Sequence, residues 1–446
     1  MSTSPQDAAV AGEPTPDAGG GVDAQDLDST SDSTKLASDA MVADTFGEYI
    51  SAQWVKIRGG ESGVLPVIFG LVVIVIIFQS KNGKFLSGLN LVNLLDQGAF
   101  IIMLGMAEVF VLLLGEIDLS AGFNMAVGAI ITAELAAPPH NVTWSLAILA
   151  GVASCVVIST VVGLLVTRLR LPSFIVTLGF FLGLQGVILS LFSHDSHASG
   201  GNINISNPVL NDVVNGNLTP TAGWIVMAAA VVGFAGLNLY RDQRRRRSGL
   251  VTPPFALTLV KIAGVAVAGV VVVLVCNRNR GGFLISIKGV PWVVPIVLVV
   301  LMGYTFLLNR TRFGRYLYAI GGNAEAARRA GISLNRIRLT AFMLTGVTAG
   351  IAGVLYESYL GSISQNVDGG TQVLYAVAAA VIGGASLFGG RGKMIHAVLG
   401  GVIIAAIANG MNLINLSAAA TFMVNGLVLL AAVTVDAVGR RGRAAT

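Results

Sequence analysis

A cluster of polar residues lies between two apolar runs in the first third of the sequence. Glu116 and Asp118 are separated by one residue, and Ser120 and Asn124 follow at the start of the next run. Ionisable side chains inside an apolar stretch are rare and usually face a cavity or a partner. The four side chains could therefore line the inner end of a pathway for a polar solute. Asp118 could equally cap the following helix by accepting backbone N–H bonds, and the two roles are compatible.

Amide side chains occur within or at the ends of later apolar runs. Gln185 stands alone, whereas Asn409, Asn412 and Asn415 follow one another at a spacing of three, which predicts that they share one side of a helix. These groups could hydrogen-bond a polar solute on its way through the protein. Amides in such positions more often join neighbouring helices, so both interpretations stay open.

The sequence contains no residue set that predicts an enzyme. Residues 389–393, Gly-Gly-Arg-Gly-Lys, superficially resemble a phosphate-binding loop. That motif needs Gly five residues before the Gly-Lys pair and Ser or Thr after the Lys, and Leu387 and Met394 occupy these positions. There is no Ser/His/Asp or Cys/His set and no spacing typical of metal ligands. We therefore expect no cofactor and no metal, and any ATP that drives the protein must bind to another polypeptide.

The composition indicates a membrane protein. Of 446 residues, 54% are hydrophobic and 11% are charged, whereas a soluble globular protein has about 25% charged residues. Apolar runs recur along the chain, and some, such as 121–136 and 371–384, are shorter than the ~20 residues needed for a crossing. We predict an all-α polytopic membrane protein with about 10 to 12 transmembrane helices, including possible half-helices or re-entrant segments.

The amino-terminal region differs in composition from the rest of the chain. Residues 1–50 hold ten acids and one Lys, and residues 1–43 have few large apolar side chains, which predicts a disordered acidic tail. Residues 44–60 place Phe46, Ile50 and Trp54 at helical spacing, which predicts an amphipathic helix at the membrane surface. Residues 61–437 then form the predicted transmembrane domain, followed by a basic tail at 438–446.

Lys and Arg predict the orientation of this domain. They are concentrated in six segments: 51–63, 167–171, 241–252, 309–338, 385–394 and 438–446. The positive-inside rule therefore places these segments and both termini in the cytoplasm. The predicted outer segment 278–291 is a local exception because it contains Arg278, Arg280 and Lys288. The outer loop 193–221 has no Lys or Arg and could bind an extracytoplasmic partner.

The longest polar interruption in the second half spans 309–338 and carries seven Arg and one Glu. Within it, Asn323 is a suitable N-cap, Ala326 and Ala327 favour a helix, and Gly331 is a natural helix stop. We predict a short helix from Asn323 to Gly331 between two spans, which could transmit movement from a soluble partner. A plain basic loop that only fixes orientation is the open alternative.

Four segments carry a resemblance to a known family. They read GEIDLSAG at 115–122, PSFIVTLG at 172–179, GRYLYAIGGN at 314–323 with EAA and GI after it, and AVIGGASL at 380–387 leading into GGRG. In this order they resemble ABC-type monosaccharide permeases, the membrane subunits of ribose, xylose and galactose importers. The resemblance covers roughly residues 60 to 437 and is closest to xylose-type permeases.

The resemblance implies a homodimeric permease in the bacterial plasma membrane. A separate cytoplasmic ATPase would contact a coupling surface of Gly322, Asn323, Glu325, Ala326, Ala327 and Gly331. An extracytoplasmic sugar-binding protein would deliver the substrate, membrane lipid would surround the chain, and no nucleic acid is expected. The pathway would include Glu116, Asp118, Ser120, Asn124, Gln185, Asn409 and Asn412. At the Glu116 position the family more often has Gly.

The alternative is a secondary transporter that uses an ion gradient to move a small polar solute. Such a protein needs acidic and basic residues paired deep within several spans. The apolar runs of this sequence indicate few ionisable residues, which favours a permease driven by a separate ATPase.

Overall fold

A computed structural model describes residues 65–194, 201–249, 254–281, 286–417 and 419–428, together with positions 430 and 434. The tail expected over 1–43, the amphipathic helix expected over 44–60 and the basic segment 438–446 lie outside these residues. The described chain is almost entirely helical, with a single two-stranded sheet among the described residues. The predicted all-α class is therefore confirmed.

The described helices are, in chain order, α1 (Leu65–Lys81), α2 (Gly88–Leu112), α3 (Ala121–Ala136), α4 (Trp144–Arg168), α5 (Ser173–His194), α6 (Pro208–Asn215), α7 (Pro220–Arg247), α8 (Phe255–Cys276), α9 (Val293–Arg310), α10 (Arg312–Gly322), α11 (Ala324–Arg329), α12 (Leu334–Leu360), α13 (Gly369–Gly383), α14 (Met394–Leu413) and α15 (Ala419–Val428). Strands β1 (Asn202–Asn204) and β2 (Ser362–Ser364) pair antiparallel, with Ile203 opposite Ile363.

Among these described helices, eight are long and apolar enough to cross a membrane, and α1, α3, α13 and α15 are shorter apolar helices. Helices α3 and α13 have 16 and 15 residues, fewer than the ~20 that an upright crossing needs. They correspond to the short apolar runs noted in the sequence. The fold is therefore a multi-pass helical bundle that contains helices too short to cross upright.

Helix α12 lies at the centre of the bundle, packed against α2, α3 and α4. Small residues allow the close approach: a Cβ atom added to Gly346 would lie 2.6 Å from the Cys155 carbonyl oxygen, and one on Gly353 would lie 2.5 Å from the Met125 carbonyl oxygen. On α5, by contrast, a Cβ on Gly179 or Gly183 would meet nothing within 4 Å. The small residues of α12 thus fix its packing, whereas those of α5 face outward in the single chain.

Helices α7 and α8 form a hairpin at the edge of the bundle, with few buried residues. The basic run within the polar segment 241–252 is helical, since α7 continues to Arg247. Arg is a good helix former, and four arginines in the last turn interact favourably with the negative end of the helix dipole.

Candidate functional site

The polar segment 309–338 contains two short helices where the sequence predicted one. The side chain of Thr311 accepts a hydrogen bond from the Gly314 N–H and starts α10, which the sequence analysis missed. Asn323 then ends α10 and starts α11, since its Oδ1 accepts the Ala326 N–H at 2.9 Å. Gly331, with φ of +80°, ends this helical turn. The predicted N-cap Asn323 and the predicted stop Gly331 are thus confirmed. The predicted helix is α11, and a second helix, α10, directly precedes it.

Helix α11 presents a charged surface. Glu325 and Ala326 are exposed, whereas Ala327 is buried and holds the helix against the bundle. The Glu325 carboxylate accepts hydrogen bonds from Arg328 and Arg329, three and four residues further on. These hydrogen bonds hold the pKa of Glu325 below its usual range. Gly322, Asn323 and Gly331 are also exposed. All of the expected coupling residues except Ala327 therefore lie on an ordered, solvent-accessible surface.

The carboxyl end of α10 is in close contact with two loops from elsewhere in the bundle. A Cβ atom on Gly321 would lie 1.8 Å from the Leu113 carbonyl oxygen and 2.5 Å from the Gly390 nitrogen, so only glycine fits. The Gly390 N–H donates to the Leu113 carbonyl at 2.9 Å. We call this contact of 113–115, 318–321 and 388–392 the triple junction.

Tyr318 adds a side-chain contact to the triple junction. Its hydroxyl donates to the Gly392 carbonyl at 2.7 Å, and burial raises the pKa of the Tyr318 phenol. A Cβ on Gly389 would lie 2.9 Å from the Gly115 nitrogen, so the two loops also touch each other directly. Displacement of α10 would therefore be passed to the ends of both α2 and α13.

A cleft of about 630 Å³ lies between the α4–α5 connection and the α11–α12 connection. We call it the arginine cleft; its charged lining residues are Glu116, Arg170, Arg328 and Arg338. Glu116 Oε1 lies 3.4 Å from Arg338 Nε. Glu116 is therefore part of this surface cleft and is separated from the buried Asp118.

Asp118, Ser120 and Asn124 are completely buried. Asp118 Oδ1 accepts both the N–H and the hydroxyl of Ser120, at 3.0 and 2.5 Å. Asn124 donates to the Cys155 carbonyl and to Ser159 Oγ on α4, at 3.2 and 2.9 Å. These contacts order the start of α3 and join it to α4.

The later amides do not form one group. Asn409 is buried and accepts a 2.8 Å hydrogen bond from Asn90, which joins α14 to α2. Asn412 is exposed, and Asn415 lies beyond the end of α14 with φ of +52°. The predicted common helical side for the three asparagines was wrong, because α14 ends at Leu413. Gln185 is exposed on the outside of α5.

Two buried carboxyl groups were missed by the sequence analysis. Glu108 on α2 and Glu357 on α12 are fully buried, and their carboxyl oxygens have no hydrogen-bond partner among the described residues. Glu108 lies close enough to Asp118 for electrostatic interaction. Each of these acids lies inside an apolar run of the sequence, which could have revealed it. The spans therefore contain more ionisable residues than the sequence analysis expected.

Arg280, one of the exceptional basic residues of 278–291, has a structural explanation. The Arg280 guanidinium donates to the carbonyls of Cys276 and Gly289 and to Oδ1 of Asn217, at 3.1, 3.2 and 2.6 Å. It thereby closes its own loop and attaches the loop to the start of α7. Arg280 is thus a fixed part of the fold rather than a free loop charge.

Comparisons with known proteins find a matching family profile and similar transport permeases. A family profile described as branched-chain amino acid transport system / permease component matches residues 90–433. The xylose transport system permease protein XylH of Escherichia coli (strain K12) is 32% identical over 407 residues, covering 87% of this chain and 96% of that protein. The ribose import permease protein RbsC of Bacillus subtilis (strain 168) is 31% identical over 374 residues, covering 83% and 92%. No solved structure matches significantly.

Proposed function

This chain belongs to the branched-chain amino acid transport system / permease component family, and from its similarity to a xylose permease within that frame we propose that xylose, or a similar pentose or hexose, crosses the membrane through it. It is the permease subunit of an ABC-type monosaccharide importer, a multi-pass inner-membrane protein and not itself an enzyme. An ATPase and a substrate-binding protein complete such an importer. The similarity to XylH over 96% of the length of that protein carries the choice of sugar.

The ATPase contacts the exposed surface of Gly322, Asn323, Glu325, Ala326 and Gly331 at α11, and the buried Ala327 holds this helix against the bundle. Two observations support this part of the proposal: α11 is capped and ion-paired, and α10 is wedged by Gly321 into the triple junction. Because a rigid helix pair does not deform, it transmits a displacement imposed by the ATPase to the rest of the bundle. The face that carries α10, α11 and the arginine cleft is then cytoplasmic, as are both termini.

The pathway runs between two copies of the chain. Helix α5 supports this arrangement because Gln185 and the glycines Gly179 and Gly183 are uncovered on its outer side, where a second copy would face them. Gln185 and Asn412 are the amides that are free to contact a sugar. Asp118, Ser120, Asn124 and Asn409 hold neighbouring helices in place, and Glu116 lies at the cytoplasmic end.

The test is reconstitution in proteoliposomes. The chain together with its ATPase and binding protein should accumulate xylose when ATP is supplied on the ATPase side, and the chain alone should not. Calorimetry of the binding protein against a panel of pentoses and hexoses identifies the sugar independently. Accumulation driven by a proton or sodium gradient alone would support the secondary-transporter alternative instead.

A further inference from the structure

The arginine cleft carries positive charge that is not fully balanced. Arg338 is close to Glu116, and Arg328 is paired with Glu325. Arg170 has no ion pair among the described residues, and its backbone holds φ of +56°. The surrounding loops of the same face, 113–117, 167–172, 309–338 and 385–393, contain eleven basic and two acidic residues. This cleft therefore favours an anionic occupant.

The chain itself supplies an acidic segment on this side of the bundle. Helices α1 and α14 pack side by side in the same direction: the Asn82 side chain donates to the Leu413 carbonyl at 2.9 Å, and Phe78 covers Gly410. Their amino ends therefore lie on one face. The loop before α14 is the 388–392 part of the triple junction, so residue 65 starts from the same face as the arginine cleft.

Residues 1–64, outside the described part, precede this point. Their first fifty residues hold eight Asp and two Glu against one Lys. A chain of this length spans at most roughly 210–230 Å when fully extended, so its acidic residues are within reach of the cleft. Tethering also gives a segment an effective concentration on the order of millimolar, so even weak ion pairing can populate the bound state.

We propose that the acidic amino-terminal segment of this chain binds in the arginine cleft. Its carboxylates contact Arg170, Arg328 and Arg338 beside α11. The assignment rests on the charge of the cleft, the opposite charge of the segment and the shared face on which the segment joins the bundle. It does not depend on which sugar is transported.

The test is site-directed cross-linking of the full-length chain in lipid nanodiscs. Ser29→Cys is paired with Asn335→Cys, which lines the cleft and is exposed; the native Cys155 and Cys276 are buried. The matched control pairs Ser29→Cys with Ser248→Cys, which is exposed beside the other basic run, at the end of α7. We expect the cleft pair to cross-link about fivefold more than the control pair. A single exposed ion pair changes a binding equilibrium by about this factor.

Two further variants test the chemistry. Arg170→Gln in the cleft should lower the cross-linking yield, whereas Arg246→Gln in the α7 run should not. Replacement of the eight tail aspartates by Asn, which leaves the described bundle unaltered, should lower the yield in the same way. Equal yields for the cleft and control pairs, or a yield indifferent to Arg170→Gln, would overturn the proposal.

Anionic lipid is the competing occupant. Loss of the cross-link when the nanodisc contains anionic instead of zwitterionic lipid would assign the cleft to lipid headgroups and overturn the proposal. Persistence of the cross-link in anionic lipid supports it. The experiment uses neither sugar nor ATPase, so its failure would leave the proposed transport function unaffected.

Discussion

The Gly390 N–H donates to the Leu113 carbonyl oxygen at 2.9 Å and joins two loops that are far apart in the sequence. Both loops follow the end of a buried helix, and both belong to segments with the same spacing, Gly-x-x-Asp-Leu-x-x-Gly at 115–122 and Gly-x-x-Ser-Leu-x-x-Gly at 383–390. Helix α10 is attached where they meet. A force on α10 thus reaches two helix ends at once.

Gly321→Ala should destabilise the protein and weaken coupling. The added methyl group would overlap the Leu113 carbonyl, and overpacking of this kind costs about 1–3 kcal/mol. We expect a lower unfolding temperature and less sugar-stimulated ATP hydrolysis by the assembled importer. Gly303→Ala is the matched control, because a Cβ there meets nothing within 4 Å. Equal thermal stability of the two variants would show that the junction tolerates a side chain.

Glu325→Arg should abolish binding of the ATPase while the protein stays in the membrane. The substitution removes both ion pairs of α11 and leaves three adjacent arginines to repel one another. Co-purification of the ATPase and sugar uptake report the result. Asp212→Arg, an exposed charge reversal on α6 at the other side of the bundle, should capture the ATPase as the wild type does. Normal ATPase capture by Glu325→Arg would refute a docking role for this surface.

Acid should loosen α11. The hydrogen bonds from Arg328 and Arg329 lower the pKa of Glu325 from its usual 4.5. A carboxyl group with a depressed folded-state pKa contributes stability above its unfolded pKa and loses that contribution as the pH falls through the folded value. Amide hydrogen exchange at 324–330, corrected for intrinsic rates, should therefore lose protection as the pH falls below about 4.5. Glu325→Gln should show weaker protection without this pH dependence.

Asn90 and Asn409 should be coupled in a double-mutant cycle. Their side chains share a buried 2.8 Å hydrogen bond between α2 and α14, and such bonds within membranes contribute about 0.6 kcal/mol on average, up to ~1.7. The unfolding free energies of Asn90→Ala, Asn409→Ala and the double variant measure the coupling. Additive losses, together with a transport defect confined to Asn409→Ala, would favour a direct contact between Asn409 and the sugar.

Arg280→Ala should destabilise the 277–291 loop more than Arg278→Ala. Arg280 makes three hydrogen bonds that close the loop, whereas Arg278 is exposed. Loss of a charged hydrogen-bonding group costs about 1.5–3 kcal/mol. Thermal unfolding and limited proteolysis of the loop measure the difference. Indistinguishable behaviour of the two variants would mean that the loop is held by its backbone alone.

Local rules predicted much of the helical framework and the start of α11. Asn323 was identified as a cap because its side-chain oxygen suits that position, and the structure shows the expected hydrogen bond to Ala326. The short runs at α3 and α13 were also visible as apolar stretches of limited length. These features depend on residues close together in the sequence.

Contacts between distant segments could not be predicted in the same way. Nothing near Gly321 in the sequence indicates that it faces Leu113 and Gly390. The sequence likewise did not distinguish the buried Asn409 from the exposed Asn412, because the end of α14 and its contact with α2 decide their surroundings. Glu108 and Glu357 differ from these cases: their signal was present in the apolar runs and was overlooked.

Helix α7 has 28 residues, a length of about 42 Å, whereas the hydrocarbon core of a bilayer is about 30 Å thick. Its final arginines must then protrude among the phosphate groups of the lipids. Helices α7 and α8 share little surface with the bundle. The fit of this hairpin to the bilayer thickness therefore helps to fix the position of the permease along the membrane normal. A thinner or thicker bilayer would change the tilt of this hairpin first. The change would reach the central helices through the packing of α8 against α2 at Val92 and through the loop that Arg280 closes.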